Sequence, residues 1–264
     1  MFLEPINFPA IYREHKAATD FKAKNRDDWD AKASDMAAST INSPYVEDFI
    51  SRMNITGDEV VLDIGCGPGA LSIPLAKKVK EVIAIDFSEQ MLEELKAYAA
   101  REGVTNIKTY HIGWDDDWSH LPQIDIAVAS RSMEVPDIEA ALSKMSSHAS
   151  RACYLTYKVG GSFVDMNILD FIGKKVKTKP DYWYIPLILY SKGYLPRVDY
   201  IETGRGSVRA GNEEEFVESL LWSLHELNDE QKAKAREYYR EVIVAQNRPP
   251  RAVNWAFIGW ETTL

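Results

Sequence analysis

Val61-Leu62-Asp63-Ile64-Gly65-Cys66-Gly67-Pro68-Gly69 is the stretch on which the fold turns. Val60 to Ile64 is a short, largely apolar run rich in β-branched residues, the composition of a strand buried on both faces. A glycine cluster follows, and Ala70 to Lys77 resumes with apolar residues at helical spacing. Strand, glycine turn and helix in that order make a nucleotide-binding α/β unit. Gly65 and Gly67 lack a Cβ, so the backbone can turn sharply and a ligand can approach its N–H groups.

Outward from this loop, Val82 to Ile85 reads as a second strand and Ser88 to Arg101 as its helix. Ser88 is the N-cap, and Met91, Leu92 and Leu95 lie on the buried side. Asp86 stands 21 residues past Gly65 at the tip of that strand. A carboxylate there accepts hydrogen bonds from a ribose diol, and it is expected to face solvent until the ribose arrives. Gly65, Gly67 and Ala70 also satisfy the G-x-G-x-x-A fingerprint of dinucleotide sites, so an NAD-binding oxidoreductase competes. Asp63 weighs against it. Two residues before the first glycine, its carboxylate would repel a pyrophosphate by on the order of several kcal/mol, whereas it would stabilise the ammonium and sulfonium of S-adenosylmethionine.

Ile107 to Ile112, Ile124 to Ser130 and Ala152 to Tyr157 read as further strands, with a helix over Ile138 to Ala149 led by Asp137. Five strands joined by helices predict a doubly wound α/β fold with a mostly parallel sheet. Ahead of it, Pro9 to Lys24, Trp29 to Ala38 and Tyr45 to Met53 read as polar helices. Their aromatics Phe8, Tyr12, Trp29 and Tyr45 are individually packing residues and as a group a cap over a pocket. Beyond Lys158 come a hinge at Gly160-Gly161, a basic loop over Lys174 to Lys179 and an aromatic segment over Tyr182 to Tyr194. A strand at Arg197 to Glu202, amphipathic helices at Glu213 to Leu227 and Asp229 to Gln246, Pro249-Pro250 and a last strand around Trp255 to Trp260 complete the chain. The expected organisation is one domain: a helical cap over 1–55, a cofactor-binding core over 56–158, and C-terminal strands with a helical substrate-side insertion over 159–264.

Asp63-Ile64-Gly65-Cys66-Gly67-Pro68-Gly69, with Ala84-Ile85-Asp86-Phe87-Ser88-Glu89-Gln90-Met91-Leu92, closely resembles the first two motifs of class I S-adenosylmethionine-dependent methyltransferases. The resemblance covers residues 57–130 and implies a Rossmann-like fold with S-adenosylmethionine as cofactor. It places Gly65 and Gly67, with Cys66 between them, along the methionine moiety, Asp86 on the ribose hydroxyls, and Phe87 and Met91 beside the adenine. It also implies a seven-stranded sheet whose last strand is antiparallel, supplied by Ala252 to Thr262.

The third motif departs from the family's usual form and reads Gly113-Trp114-Asp115-Asp116-Asp117-Trp118. Asp115 with the Trp114 backbone is assigned to the adenine edge, since a carboxylate accepts from the exocyclic amine while an N–H donates to the ring. Asp116 and Asp117 read as helix-capping residues. Adjacent carboxylates diverge, so no metal site is assigned. After the fourth strand, Ser130 is expected beneath the cofactor and Arg131, with Tyr12 and Tyr45, on the acceptor side. Arg131 has two readings: a fork clamping a carboxylate or phosphate of the substrate, or an ordinary ion pair. Of the histidines His111 lies closest in sequence to the inferred site, and packing is its alternative role. No Asn-Pro-Pro-Tyr or Asp-Pro-Pro-Tyr follows strand four, which disfavours amide or adenine amino methylation.

The chain has 264 residues, 45% of them hydrophobic, and a net charge of −9. That charge repels phosphate backbones, so no nucleic acid partner is assigned and a small-molecule acceptor is expected, with a protein or RNA acceptor as the alternative. Two cysteines, Cys66 and Cys153, suit a reducing compartment. Neither a leader nor a bilayer-length apolar run is read, which points to the cytoplasm and away from membranes. A homodimer is compatible with the aromatic stripes of the C-terminal half.

Overall fold

The computed structural model describes residues 6–40, 43–203, 211–246 and 253–263. Seven strands form one sheet: β1 Val60–Ile64, β2 Glu81–Asp86, β3 Ile107–His111, β4 Ile124–Ser130, β5 Ala149–Lys158, β6 Arg197–Thr203 and β7 Val253–Glu261. Their order is β3-β2-β1-β4-β5-β7-β6. The first five run parallel, and β7 lies antiparallel between β5 and β6. This is the expected doubly wound, Rossmann-like methyltransferase sheet. From β1 the chain runs outward through β2 and β3, then crosses back to β4 on the other side of β1, and this reversal opens a crevice at the carboxyl ends of β1 and β4.

The helices are α1 Phe8–Ala18, α2 Arg26–Asp30, α3 Ala33–Thr40, α4 Pro44–Ser51, α5 Ser72–Ala76, α6 Glu89–Arg101, α7 Ile138–His148, α8 Met166–Phe171, α9 Tyr184–Ser191, α10 Glu213–Ser223 and α11 Asp229–Tyr238. Strand alternation divides the core. Leu62, Ile64, Ile83 and Ile85 face one layer with Leu142 and Met145 of α7 and Ile185 and Ile188 of α9. Val61, Val82, Ala84 and Ile126 face the other, against Phe49 of α4, Leu75 of α5 and Leu92 and Leu95 of α6. Each fully buried aliphatic side chain contributes about 1.5–3 kcal/mol relative to exposure. Helix α6 begins where its cap predicts: the Ser88 Oγ accepts from the Met91 N–H at 3.1 Å.

A third apolar cluster is helical and brings Phe21 together with Ile168, Leu169, Phe216, Leu220 and Leu224. It explains one departure from expectation. The helix expected over Pro9 to Lys24 stops at Ala18, because Phe21 is drawn into this cluster and pairs with Leu224 as an isolated antiparallel bridge. The flanking N–H groups of Asp20 and Lys22 donate to the carbonyls of Lys177 and Ser223, each at 3.1 Å. The segment is thus a strap tying the N-terminal region to the C-terminal helices.

Gly160-Gly161 is not the expected hinge. Gly161 has φ +63°, and a Cβ on it would strike the Lys179 carbonyl, while the Lys179 N–H donates to the Gly161 carbonyl at 2.8 Å. The two backbones are locked together. The helix expected over Asp229 to Gln246 changes at Tyr239–Val244 to a π-helical stretch. Pro249-Pro250 and Ala252 lie outside the described residues. Among the described residues no helix is long and apolar enough to cross a membrane.

Candidate active site

A cavity of about 1610 Å³ lies at the carboxyl ends of β1, β2 and β4, lined by the glycine loop, the two strand tips and the turn at Gly113. The strap, α2 and α10 also line it, with Phe21, Trp29, Leu220 and Trp222. Ligand pockets typically measure about 300–1,000 Å³, so two ligands fit side by side.

The glycine loop is shaped by contact. Gly65 has φ +65°, and a Cβ on it would come 2.5 Å from the Cβ of Ser132. The N–H groups of Gly65 and Cys66 donate to the Ile85 carbonyl at 2.8 and 3.1 Å, and that of Gly67 donates to the Asp86 Oδ2 at 2.8 Å. The expectation that these N–H groups meet a ligand is therefore corrected, since the second strand consumes them. A pyrophosphate would find no free N–H cradle on Gly65, Cys66 or Gly67, and two carboxylates beside them.

Those carboxylates are Asp63 and Asp86. Asp63 is 1% exposed; its Oδ2 accepts from the Ser72 Oγ at 2.5 Å and its Oδ1 has no partner among the described residues. Burial, reinforced by the Asp86 charge and opposed by the Ser72 hydrogen bond, pushes its carboxyl up to about 7. A buried acceptor without a donor, lining the cavity, fits the ammonium of a bound amino acid moiety. Asp86 departs from its expected exposure, being 5% exposed. Besides Gly67, it accepts from the Ser88 N–H at 2.9 Å, and burial raises its pKa. The turn into α6 folds over the strand tip and covers it. Burial likewise pushes the Cys66 thiol well up, so it is a neutral wall and not a nucleophile.

Phe87, Met91, Trp114 and Asp115 line the same cavity as the glycine loop. The Trp114 indole N–H donates to the Ser132 carbonyl at 3.0 Å, and its own carbonyl accepts from the Lys144 Nζ at 2.7 Å. Asp116 accepts from the Gly113 N–H at 2.7 Å and Asp117 from the Ser119 N–H at 2.9 Å, as turn-capping residues do. Asp115 makes no such bond within the turn and is exposed.

Around the tip of β4 the structure brings together Ser130, Arg131, Tyr45 and Thr156. The Tyr45 hydroxyl lies 2.9 Å from the Ser130 Oγ and 2.6 Å from the Thr156 Oγ1, which accepts from the Arg131 N–H at 3.1 Å. Arg131 has φ +59° and places its guanidinium 4.4 Å from the Tyr45 ring centroid. Tyr45 is itself 3% exposed, so it supports Arg131 from behind the cavity wall. Tyr12, expected beside the acceptor, is fully buried, is not part of the cavity lining, and donates to the carbonyl of the lining residue Val135 at 3.0 Å. An aromatic on an amphipathic helix packs inward when its hydroxyl finds a buried acceptor. His111 hydrogen-bonds the Phe87 carbonyl at 3.0 Å and also stays outside the lining.

Sequence reasoning missed Lys16, Glu134 and Lys179, which line the cavity; of the C-terminal aromatics that suggest an apolar acceptor pocket, Phe163 and Trp222 line it, whereas Tyr182, Trp183, Tyr184 and Tyr190 do not. Lys179 belongs to a loop that reads as solvated, yet its side chain is 13% exposed. No periodicity marks Lys16, Glu134 or Lys179, because they meet only through the tertiary fold.

Residues 61–151 match the profile of a methyltransferase domain family. An uncharacterized protein of Haemophilus influenzae is 33% identical over 264 residues, 98% of this chain and 98% of its own length. The 23S rRNA (uracil(1939)-C(5))-methyltransferase RlmD of Aliivibrio fischeri is 34% identical over 79 residues, 30% of this chain and 18% of that protein. Among solved structures, geranyl diphosphate C-methyltransferase of Streptomyces coelicolor, in complex with Mg²⁺, geranyl-S-thiolodiphosphate and S-adenosyl-L-homocysteine, is similar with a TM-score of 0.52 at 12% identity. That likeness covers 83% of this chain and 75% of that one. Fold and pocket together define a methyltransferase that takes its methyl group from S-adenosylmethionine. The chain belongs to the class I S-adenosylmethionine-dependent methyltransferases, and with the Haemophilus protein it shares nearly its whole length.

Proposed function

We propose that the enzyme methylates a small-molecule acceptor enclosed between the sheet and its helical cover, as one catalytic domain. The observation that carries this reading is the deep cavity of about 1610 Å³, partly covered by the strap that joins Phe21 to Leu224. A cover of this kind limits the access of water and favours an acceptor that enters the cavity over a folded RNA or protein docked at its rim. When bound, S-adenosylmethionine supplies an electrophilic methyl on a sulfonium. Asp63 would hold the ammonium, Asp86 the ribose hydroxyls, and Asp115 the adenine amine between Phe87 and Met91. Ser130 lies below and Arg131 beyond, so the side chains align an acceptor for in-line displacement by proximity and exclusion of water. Two buried, unpaired cysteines support a place in the reducing cytoplasm.

The experiment is transfer of radiolabelled methyl from S-adenosylmethionine into a cell extract, followed by acid precipitation. Label in the soluble metabolite fraction is the expected result. Label confined to precipitated RNA or protein would overturn the small-molecule reading and leave the methyltransferase standing.

A further inference from the structure

We infer that the acceptor carries an oxyanion, a carboxylate or a phosphate group, and that Arg131 holds it. This rests on the methyltransferase reading above and adds the class of substrate.

Among the described residues Arg131 is the one non-glycine residue with positive φ, a conformation that side chains other than glycine rarely adopt and that persists where the surroundings enforce it. Here the enforcing contact is the hydrogen bond from its N–H to Thr156. Its guanidinium stands 4.4 Å from the Tyr45 ring and 6.0 Å from the Trp255 ring, so aromatic carbon occupies its broad face. Among the described residues no carboxylate pairs with it, which removes the reading of an ordinary ion pair. What remains is an edge of N–H donors in a cavity wall, the fork geometry that matches a carboxylate or phosphate.

The neighbouring charges have the same sense. One Glu134 oxygen is shared by the Lys16 Nζ at 2.7 Å and the Lys179 Nζ at 2.9 Å, with both lysines largely buried. Two cations on one carboxylate give this cluster a net positive charge, although Glu215 and Glu218 also line the cavity. The cofactor end is instead acidic, with Asp63, Asp86 and Asp115. In a chain of net charge −9 this polarised cavity draws an anion to the Arg131 end and rejects cationic acceptors there.

The test is calorimetric titration of the protein saturated with S-adenosylhomocysteine, in low-salt buffer free of chloride, with inorganic phosphate and separately with benzoate. Binding of at least one probe in the millimolar range is expected. Arg131→Met should weaken it by about tenfold to about a hundredfold. Its affinity for S-adenosylhomocysteine should stay within about twofold, since the lost contacts are charge-assisted bonds to the acceptor alone. A response to phosphate alone identifies a phosphate acceptor, and to benzoate alone a carboxylate. If S-adenosylhomocysteine binds but neither probe does, or if Arg131→Met binds the probes like the wild type, the inference is overturned and the methyltransferase reading survives. Failure of the wild type to bind S-adenosylhomocysteine would overturn both. Should Arg131→Met fail to fold, Arg131→Gly carries the test, because glycine adopts this φ without strain.

Discussion

Gly65 and Ser132 touch so closely that a Cβ on the glycine would lie 2.5 Å from the serine Cβ, while the Ser132 Oγ donates to the Ile64 carbonyl at 2.5 Å. The turn after β1 and the loop after β4 are therefore clamped together, and the clamp sets the shape of the cofactor pocket. Gly67 is different: the nearest atom to a Cβ there is the Met91 Sδ at 4.0 Å. Both glycines have positive φ, so alanine at either costs about 1–2 kcal/mol of backbone strain. Gly65→Ala adds overpacking of about 1–3 kcal/mol, and its melting temperature should fall by about 5–15 °C. Gly67→Ala should melt closer to the wild type but lose affinity for S-adenosylhomocysteine, because its methyl group projects into the cavity. Thermal melts and calorimetry check the pair; a Gly65→Ala protein as stable as the wild type would show that the clamp yields.

Asp86→Ala should impair folding and binding together. It leaves the buried N–H groups of Gly67 and Ser88 without their acceptor, at about 1–3 kcal/mol each. Affinity for S-adenosylhomocysteine should drop by about thirtyfold to a thousandfold with the ribose contact. A variant that melts like the wild type yet binds weakly would show that the turn into α6 reorganises around the loss.

The contrast between Asp86 and Phe21 shows what the chain discloses locally. The position of Asp86, 21 residues past Gly65, follows from strand and turn lengths, and the Ser88 cap announces α6. Its burial does not follow, because the covering turn is a tertiary detail. Phe21 meets Leu224 across most of the chain, a contact with no periodic signature in sequence. The same holds for Lys16, Glu134 and Lys179, whose cluster joins three separate segments. Tyr12 sits on a helix whose aromatics read individually as packing residues and only as a group as a pocket cap, and its hydroxyl on the Val135 carbonyl places it in the core. Residues on consecutive strand tips could be placed on one cavity wall from their spacing, whereas those contributed by distant segments carry no such signal.

Tyr45 separates two contributions to the acceptor side. Tyr45→Phe removes the hydroxyl that meets Ser130 and Thr156 but keeps the ring beneath Arg131. It should cost about 0.5–1.5 kcal/mol of stability and leave binding of the phosphate or benzoate probe near that of the wild type. Tyr45→Leu removes the ring as well, with about 0.5–2 kcal/mol of cation–π attraction, and the probes should bind more weakly. Equal probe affinities in the two variants would mean that the ring does not position the guanidinium.

With Asp63 proposed to hold the ammonium, cofactor binding should depend on pH. Its carboxyl is raised from 3.8 to about 7, chiefly by burial, so between those values the folded chain holds a proton that the unfolded chain has released. The ligand-free protein should therefore lose stability as pH rises from about 4 to about 7. Asp86, also raised by burial, adds to the same trend. An ammonium placed at the partnerless Asp63 Oδ1 favours the ionised carboxylate, so binding below pH 7 must expel the proton. Affinity for S-adenosylhomocysteine should rise by up to about tenfold per pH unit from about pH 5 to about 7. It should then level off, and decline above about 8 as the ligand's own α-amino group deprotonates. Calorimetry in buffers of different ionisation enthalpy should register the released proton directly. Asp63→Asn should bind more weakly at neutral pH and lose most of the release, keeping only what Asp86 contributes. Affinity that stays flat between pH 5 and 8 in the wild type would remove Asp63 from the ammonium site and leave its unpaired oxygen without a ligand.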